Sequence, residues 1–225
     1  MYPDAVIFDF DGVIVDTEPL HYKGFQIVLK PENLFFSWNE YENIYMGFDD
    51  RDAFREVYRR SSRKLTEEKL ALLMSNKASV FQKIVELGVN PYPGVIKLIS
   101  TLHQQGTPLA ICSGAVRSDI IPIIKYLGIA DCFSKIVTAE DVLRSKPDPE
   151  SYNIAAQFLR TTFPLSPDDS KMLIIAVEDT PAGISSAVDA GLKVIAVKNS
   201  YSNDRLNQAD RIVCSLEELY TGSWL

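Results

Sequence analysis

Residues 5–17 read AVIFDFDGVIVDT, an apolar run that ends in two aspartates two positions apart, Asp9 and Asp11, followed by Gly12. AVIFDF (5–10) is apolar nearly throughout, as a strand buried on both faces must be. A capping aspartate or an Asp-Gly turn accounts for either acid alone. Two carboxylates held side by side where a buried strand ends repel each other unless a cation or a shared proton lies between them.

Four further runs share this character: PLAICS (108–113), KIVTAED (135–141), MLIIAVED (172–179) and KVIAVKN (193–199). Between them lie the helix-like stretches GVIKLISTLHQQG (94–106), VRSDIIPIIKYLG (116–128), ESYNIAAQFLRTT (150–162) and PAGISSAVDAG (181–191), several closed by a glycine. This alternation predicts parallel βα units. The fold class is α/β, a Rossmann-like doubly wound parallel sheet with ligands at the carboxyl ends of its strands.

Residues 18–90 break the alternation. PLHYKGFQIVLK (19–30), DDRDAFREVYRRSS (49–62) and TEEKLALLMSNKASVFQKIVELG (66–88) read as successive helices, with Thr66 as an N-cap and Gly88 as a stop. The chain therefore divides into a Rossmann-like core, 1–17 and 91–225, and an inserted all-helical cap domain, 18–90, which returns through NPYPG (90–94). Phe25, Trp38, Tyr41, Tyr45, Phe48 and Phe54 are expected to form the cap's core.

With 225 residues, 46% hydrophobic and 24% charged, the chain has the composition of a soluble globular protein. A formal net charge of -7, with no Lys/Arg cluster that stands out to overcome it, argues against nucleic acid or a membrane surface as the main partner. Cys112, Cys132 and Cys214, widely spaced and without a CxxC, fit reduced thiols better than a disulfide framework or a zinc site. Met1 to Asp11 is too short and too acidic for a signal peptide, so a cytoplasmic location is expected. Oligomeric state is not readable from the sequence.

The other strand ends carry groups that could share a site with the aspartates. Ser113-Gly114-Ala115 closes PLAICS and opens the next helix, offering a hydroxyl and backbone N–H groups as a phosphate cradle. Lys146 in SKPDPE brings a compact positive charge. Glu178-Asp179 closes MLIIAV, two carboxylates suited to a hard divalent cation. Singly, each has a plain structural reading: a helix cap for Ser113, a solvated loop charge for Lys146, a cap before Pro181 for the acidic pair. Four in order at successive strand ends make the joint structural reading the weaker one.

In these four motifs, DFDGVIVDT (9–17), Ser113, KPDPE (146–150) and EDTPAG (178–183), the chain resembles the haloacid dehalogenase superfamily over essentially its full length. The resemblance implies that Asp9 is a nucleophile that takes a phosphoryl group as an aspartyl phosphate, and that Asp11 is the general acid and base. It implies that Ser113 and Lys146, with Gly114 and Ala115, hold the phosphoryl oxygens. Asp9, the backbone carbonyl of Asp11, Glu178 and Asp179 would hold one Mg²⁺. The second aspartate favours phosphate monoester chemistry, since dehalogenase members lack it and need no metal. On a continuing strand, residues two apart point to the same side, which suits Asp11 to serve the group that Asp9 attacks.

The helical insertion is similar to the cap of the subgroup that holds β-phosphoglucomutase and many sugar-phosphate phosphatases. By that likeness Thr17, His21, Gly47, Arg51 and Lys77 fall near positions that line the cap side of the mutase cleft. From the residues alone, His21 equally covers a helix surface and Lys77 equally serves as a solvated helix charge. The expected activity is a Mg²⁺-dependent phosphatase acting on a small phosphorylated metabolite, a sugar phosphate. The alternatives are a β-phosphoglucomutase-type mutase, which shares the first half-reaction, and a non-catalytic metabolite-binding or interaction protein.

Overall fold

The computed structural model describes residues 2–46, 48, 50–164, 172–221 and 224–225. Its packing resolves two compact units, one of residues 1–16 and 90–225, the other Thr17–Val89. Thr17 and Asn90 thus each lie one residue across the division that the sequence pattern suggests.

In the first unit, six strands are described: β1 (Ala5–Phe8), β2 (Leu109–Cys112), β3 (Lys135–Val137), β4 (Ile174–Glu178), β5 (Lys193–Val197) and β6 (Arg211–Val213). They form one sheet in the order β3-β2-β1-β4-β5-β6, with every pair parallel. The order reverses at β1 and β4, the point where open α/β sheets bind ligands beyond their carboxyl ends. β1, β2 and β4 are buried along their whole length, as the apolar sequences of β1 and β2, and of β4 up to Glu178, require.

Register brings Ile7 beside Ala110 on one side and Ala176 on the other. These three lie in one core cluster with Tyr152, Ala155 and Leu159. Two positions further along, the same face of the sheet presents Asp9, Cys112 and Glu178. Apolar packing therefore gives way to charge within one step along the strands.

The strands depart from the sequence reading at three points. KIVTAED stops as a strand at Val137, because Thr138 and Asp141 form a capping box that turns residues 139–141 into a 3-10 helix. β6 has no counterpart in the sequence reading, since RIV is too short to show a period. β1 ends at Phe8, so Asp11 is not on a continuing strand, contrary to expectation. After Phe10 the chain turns back, with the N–H groups of Val13, Ile14 and Val15 all directed at the Phe10 carbonyl. Gly12 makes the turn possible with φ +81.

The helices of this unit, numbered with those of the second in chain order, are α5 (Val95–Gln104), α6 (Arg117–Tyr126), α7 (Glu150–Thr162) and α8 (Pro181–Asp189). The second unit holds α1 (Glu18–Leu29), α2 (Trp38–Glu40), α3 (Asp50–Arg60) and α4 (Glu67–Glu86), with a π-helical turn at Tyr41–Tyr45. Thr66 caps α4, its side chain accepting from the Lys69 N–H at 3.2 Å, and Gly88 follows the helix with φ 130. Phe25, Tyr41, Tyr45 and Phe54 belong to this unit's core. Trp38 and Phe48 do not, being 36% and 47% exposed; Trp38 lies edge-on against Tyr22 at the margin of the aromatic cluster.

Close packing at the end of β4 generates a stability prediction. A Cβ added to Gly183 in α8 would lie 1.8 Å from Oε1 of the fully buried Glu178, whereas one added to Gly114 meets nothing within 4 Å. Gly183→Ala is expected to cost about 1–3 kcal/mol as overpacking, and Gly114→Ala to stay within about 0.5 kcal/mol of wild type. Denaturant unfolding of both variants checks this; equal stability would show that the Glu178 carboxylate can move.

Candidate active site

Lys146 sits between the carboxylates of β1 and β4. Its Nζ donates to Asp9 Oδ1 at 2.7 Å, to Glu178 Oε1 at 2.7 Å and to the Cys112 carbonyl at 2.9 Å. Those three bonds use all the ammonium donors. The side chain is therefore held rigidly, and the solvated-loop reading of Lys146 does not apply. Burial alone would push its pKa down, but Asp9 and Glu178 more than offset this and hold it well above the usual lysine range.

Glu178 is saturated. Oε1 accepts from Lys146 and, at 2.9 Å, from the buried Tyr152 hydroxyl; Oε2 accepts from the N–H groups of Asp179 and Thr180 and from the Thr180 hydroxyl. Thr180 in turn caps α8, accepting from the Gly183 N–H at 3.0 Å, with Pro181 at the helix start. The sequence TPAG thus ties the helix to the acidic pair.

Asp179 differs. It is 1% exposed; Oδ2 accepts from Ser200, while Oδ1 is buried without a hydrogen-bond partner among the described residues. Burial, and then the neighbouring Glu178, push its pKa up to about 7. Asp9 is pushed well up too, by burial first, with Lys146 opposing and Glu178 and Asp179 reinforcing. Three buried carboxylates thus face one ammonium group. Ligand oxygens of Asp9, Glu178 and Asp179 lie within 4.8 Å of one another. An orphaned carboxylate oxygen in an all-oxygen, negatively charged cluster suits a hard divalent cation. Because Glu178 is satisfied within the protein, the oxygens best able to take a cation are those of Asp9 and Asp179.

Asp11 is partly buried and near enough to Asp179 to raise its pKa. Ser113 is buried at the end of β2, and its Oγ accepts from the Ala115 N–H at 3.0 Å. Helix α6 begins only at Arg117, whose N–H is taken by Glu140 at 2.9 Å. The cradle expected from Ser113-Gly114-Ala115 is therefore a loop ahead of the helix, not the helix terminus itself.

The second unit brings His21 and Lys77 together. Lys77 is 1% exposed, with its Nζ 2.9 Å from His21 Nδ1, bonded to Asp50, and 4.3 Å from the centroid of the Phe25 ring. His21 stacks on Phe81 at 4.5 Å. A lysine donating to Nδ1 requires neutral imidazole with its proton on Nε2. Burial, and then the Lys77 charge, hold the His21 pKa well below its ordinary value. Thr17 is buried, Arg51 is exposed on α3, and Gly47 lies outside the described residues.

Tyr152, Thr180 and Ser200 were not singled out in the sequence. Tyr152 falls on the apolar face of α7 and reads as core; Thr180 carries the signal of a Thr-Pro helix start; Ser200 lies in NSYSN, which reads as a turn.

Comparison with known proteins identifies the family. Residues 6–197 match the family described as haloacid dehalogenase-like hydrolase, and the chain belongs to that family. A CbbY-like protein of Arabidopsis thaliana is 32% identical over 90% of this chain and 65% of its own length. Hexitol phosphatase A of Escherichia coli is 38% identical over 59% of this chain and 57% of its own length, so the chain spans less than two thirds of either relative. Among solved structures, CbbY from Rhodobacter sphaeroides in complex with phosphate has a TM-score of 0.81 at 23% identity, covering 98% of this chain and 97% of that one. No helix among the described residues is long and apolar enough to cross a membrane.

The His21 environment sets a pH dependence. The unfolded histidine gains a proton below about 6.5, whereas the folded one stays neutral to a much lower pH. Lowering the pH therefore favours the unfolded chain, by up to about 1.4 kcal/mol per pH unit. Between pH 7 and pH 5, wild type should lose stability relative to His21→Gln, which keeps an acceptor for Lys77 and does not titrate. Denaturant unfolding across this range checks it; parallel curves would mean that His21 can charge in place.

Proposed function

We propose that this chain is a Mg²⁺-dependent phosphatase that hydrolyses a small sugar phosphate through an aspartyl phosphate on Asp9. The observation that carries the reading is the convergence of Asp9, Lys146 and Asp179 at the ends of β1 and β4, with a buried Asp179 oxygen left over. The relatives support the substrate class: one is a hexitol phosphatase, and a CbbY structure was solved with xylulose-(1,5)-bisphosphate.

In the first half-reaction an Asp9 oxygen attacks phosphorus and the bond to the sugar oxygen breaks, while Asp11 gives that oxygen its proton. In the second, Asp11 takes a proton from water as the water attacks the same phosphorus, which releases phosphate and restores Asp9. Splitting the transfer through a carboxylate replaces one difficult step with two easier ones. Lys146, fixed 2.7 Å from Asp9 Oδ1, keeps positive charge where phosphoryl oxygens would gather. The buried Ser113 lies at the adjoining strand end and would donate to the same oxygens. A Mg²⁺ held by Asp9, Asp179 and the Asp11 carbonyl would offset the carboxylate charge, keeping Asp9 ionised and letting it approach an anionic phosphate.

A phosphate-release screen over sugar phosphates tests the reading, run beside isomerisation of β-glucose 1-phosphate with a bisphosphate primer. Hydrolysis is expected, abolished by EDTA and restored by Mg²⁺. Asp9→Asn should lose at least about 1000-fold, about 4 kcal/mol of transition-state stabilisation, with unfolding unchanged. Activity of that variant within about tenfold of wild type would remove Asp9 as nucleophile, and primer-dependent isomerisation without phosphate release would replace hydrolysis with mutase chemistry.

A further inference from the structure

The loop that follows β5 reaches the site through two adjacent side chains. Asn199 Nδ2 donates to the Gly12 carbonyl at 2.7 Å, and the Ser200 hydroxyl donates to Asp179 Oδ2. Gly12 is held from its other side as well, its N–H donating to the Val15 carbonyl at 2.9 Å. Asn199 thus joins the loop to the turn that follows Asp11, and so fixes Ser200 where it meets Asp179.

The same turn walls in the Asp179 carboxylate. A Cβ on Gly12 would fall 2.0 Å from Asp179 Oδ2. Oδ2 therefore sits between the Gly12 backbone and the Ser200 hydroxyl and cannot swing without breaking a bond or colliding. Its rotamer being set, Oδ1 is the oxygen left buried and without a partner among the described residues. A carboxylate free to rotate would share its exposure to a cation between two oxygens and lose rotational freedom on binding.

We propose that Ser200 is a positioning residue for the metal site, orienting Asp179 so that Oδ1 is presented to a divalent cation, with Asn199 holding Ser200 in place. The proposal rests on the reading of Asp179 as a Mg²⁺ ligand. Partners that orient a ligating carboxylate are worth about 10- to 100-fold in metal affinity. Ser200 is exposed, so water can partly replace its hydroxyl, and the lower end of that range applies.

The test is calorimetric titration of the full chain with Mg²⁺ alone, for wild type, Ser200→Ala, Ser200→Thr and Asp179→Asn. Ser200→Ala is expected to bind Mg²⁺ about 10-fold more weakly, Ser200→Thr within about threefold of wild type because the hydroxyl is kept, and Asp179→Asn more weakly than either. Thermal unfolding in EDTA should be alike for wild type and the two Ser200 variants, so that a change in affinity is not a change in folding. Saturating Mg²⁺ should restore most of the Ser200→Ala turnover, since the defect is in occupancy. If wild type and Asp179→Asn differ but Ser200→Ala binds as wild type does, the positioning role is wrong while the metal reading stands. If Asp179→Asn binds Mg²⁺ as tightly as wild type, the metal reading itself fails and the proposal falls with it.

Discussion

Everything at the carboxyl end of the sheet depends on one electrostatic constraint: Asp9, Glu178 and Asp179 are buried together with Lys146 as the cation bonded among them. The effective penalty for taking each charge out of water is several kcal/mol, and mutual attraction repays it only when the remaining hydrogen-bonding capacity is met. The protein meets that condition unevenly. Lys146 and Glu178 are fully engaged, and Tyr152, Thr180 and two backbone N–H groups complete the shell of Glu178. The shortfall is concentrated on Asp179. Among the described residues, Lys146 and Glu178 find their partners within the protein while one buried oxygen of Asp179 has none, a pattern that suits a group from outside the chain.

This constraint also explains the sequence around the motifs. Gly183 is demanded by Glu178 and Gly12 by Asp179, because a methyl group at either position would enter the carboxylate itself. Pro181 and Thr180 start α8 at once after the acidic pair, so backbone N–H groups are available to Glu178. The helical unit solves a similar problem with different means. There, Lys77 is buried against Asp50, a neutral His21 and the Phe25 ring.

Much of the core was legible in the sequence because contrast is greatest there. Asp9, Ser113 and the Glu178-Asp179 pair stand directly after, or at the end of, runs of buried apolar residues, and Lys146 opens the segment before α7. The parallel architecture followed from the alternation of those runs with helical periods. The rest is set by tertiary pairing. Asp11 reads as a strand residue because the apolar pattern resumes at Val13-Ile14-Val15, and that run outweighs the Asp-Gly turn signal at 11–12. The partnership of Lys77 with Asp50 joins positions 27 apart on different helices, which no local pattern reveals. Ser200 reads as one polar residue in a turn, and only the register of β4 with β5 brings it to Asp179. β6 is three residues long, below the length at which a period can be seen.

The central claim is that the clustered charge exists to let Asp9 accept a phosphoryl group. The most direct measurement is a rapid acid quench of the Mg²⁺-loaded protein turning over a phosphate-labelled sugar phosphate, followed by peptide mapping. The account predicts a transient, hydroxylamine-sensitive label on the peptide carrying Asp9, absent in Asp9→Asn. Turnover of substrate with label on another residue, or with label unchanged in the Asp9→Asn protein, would contradict it.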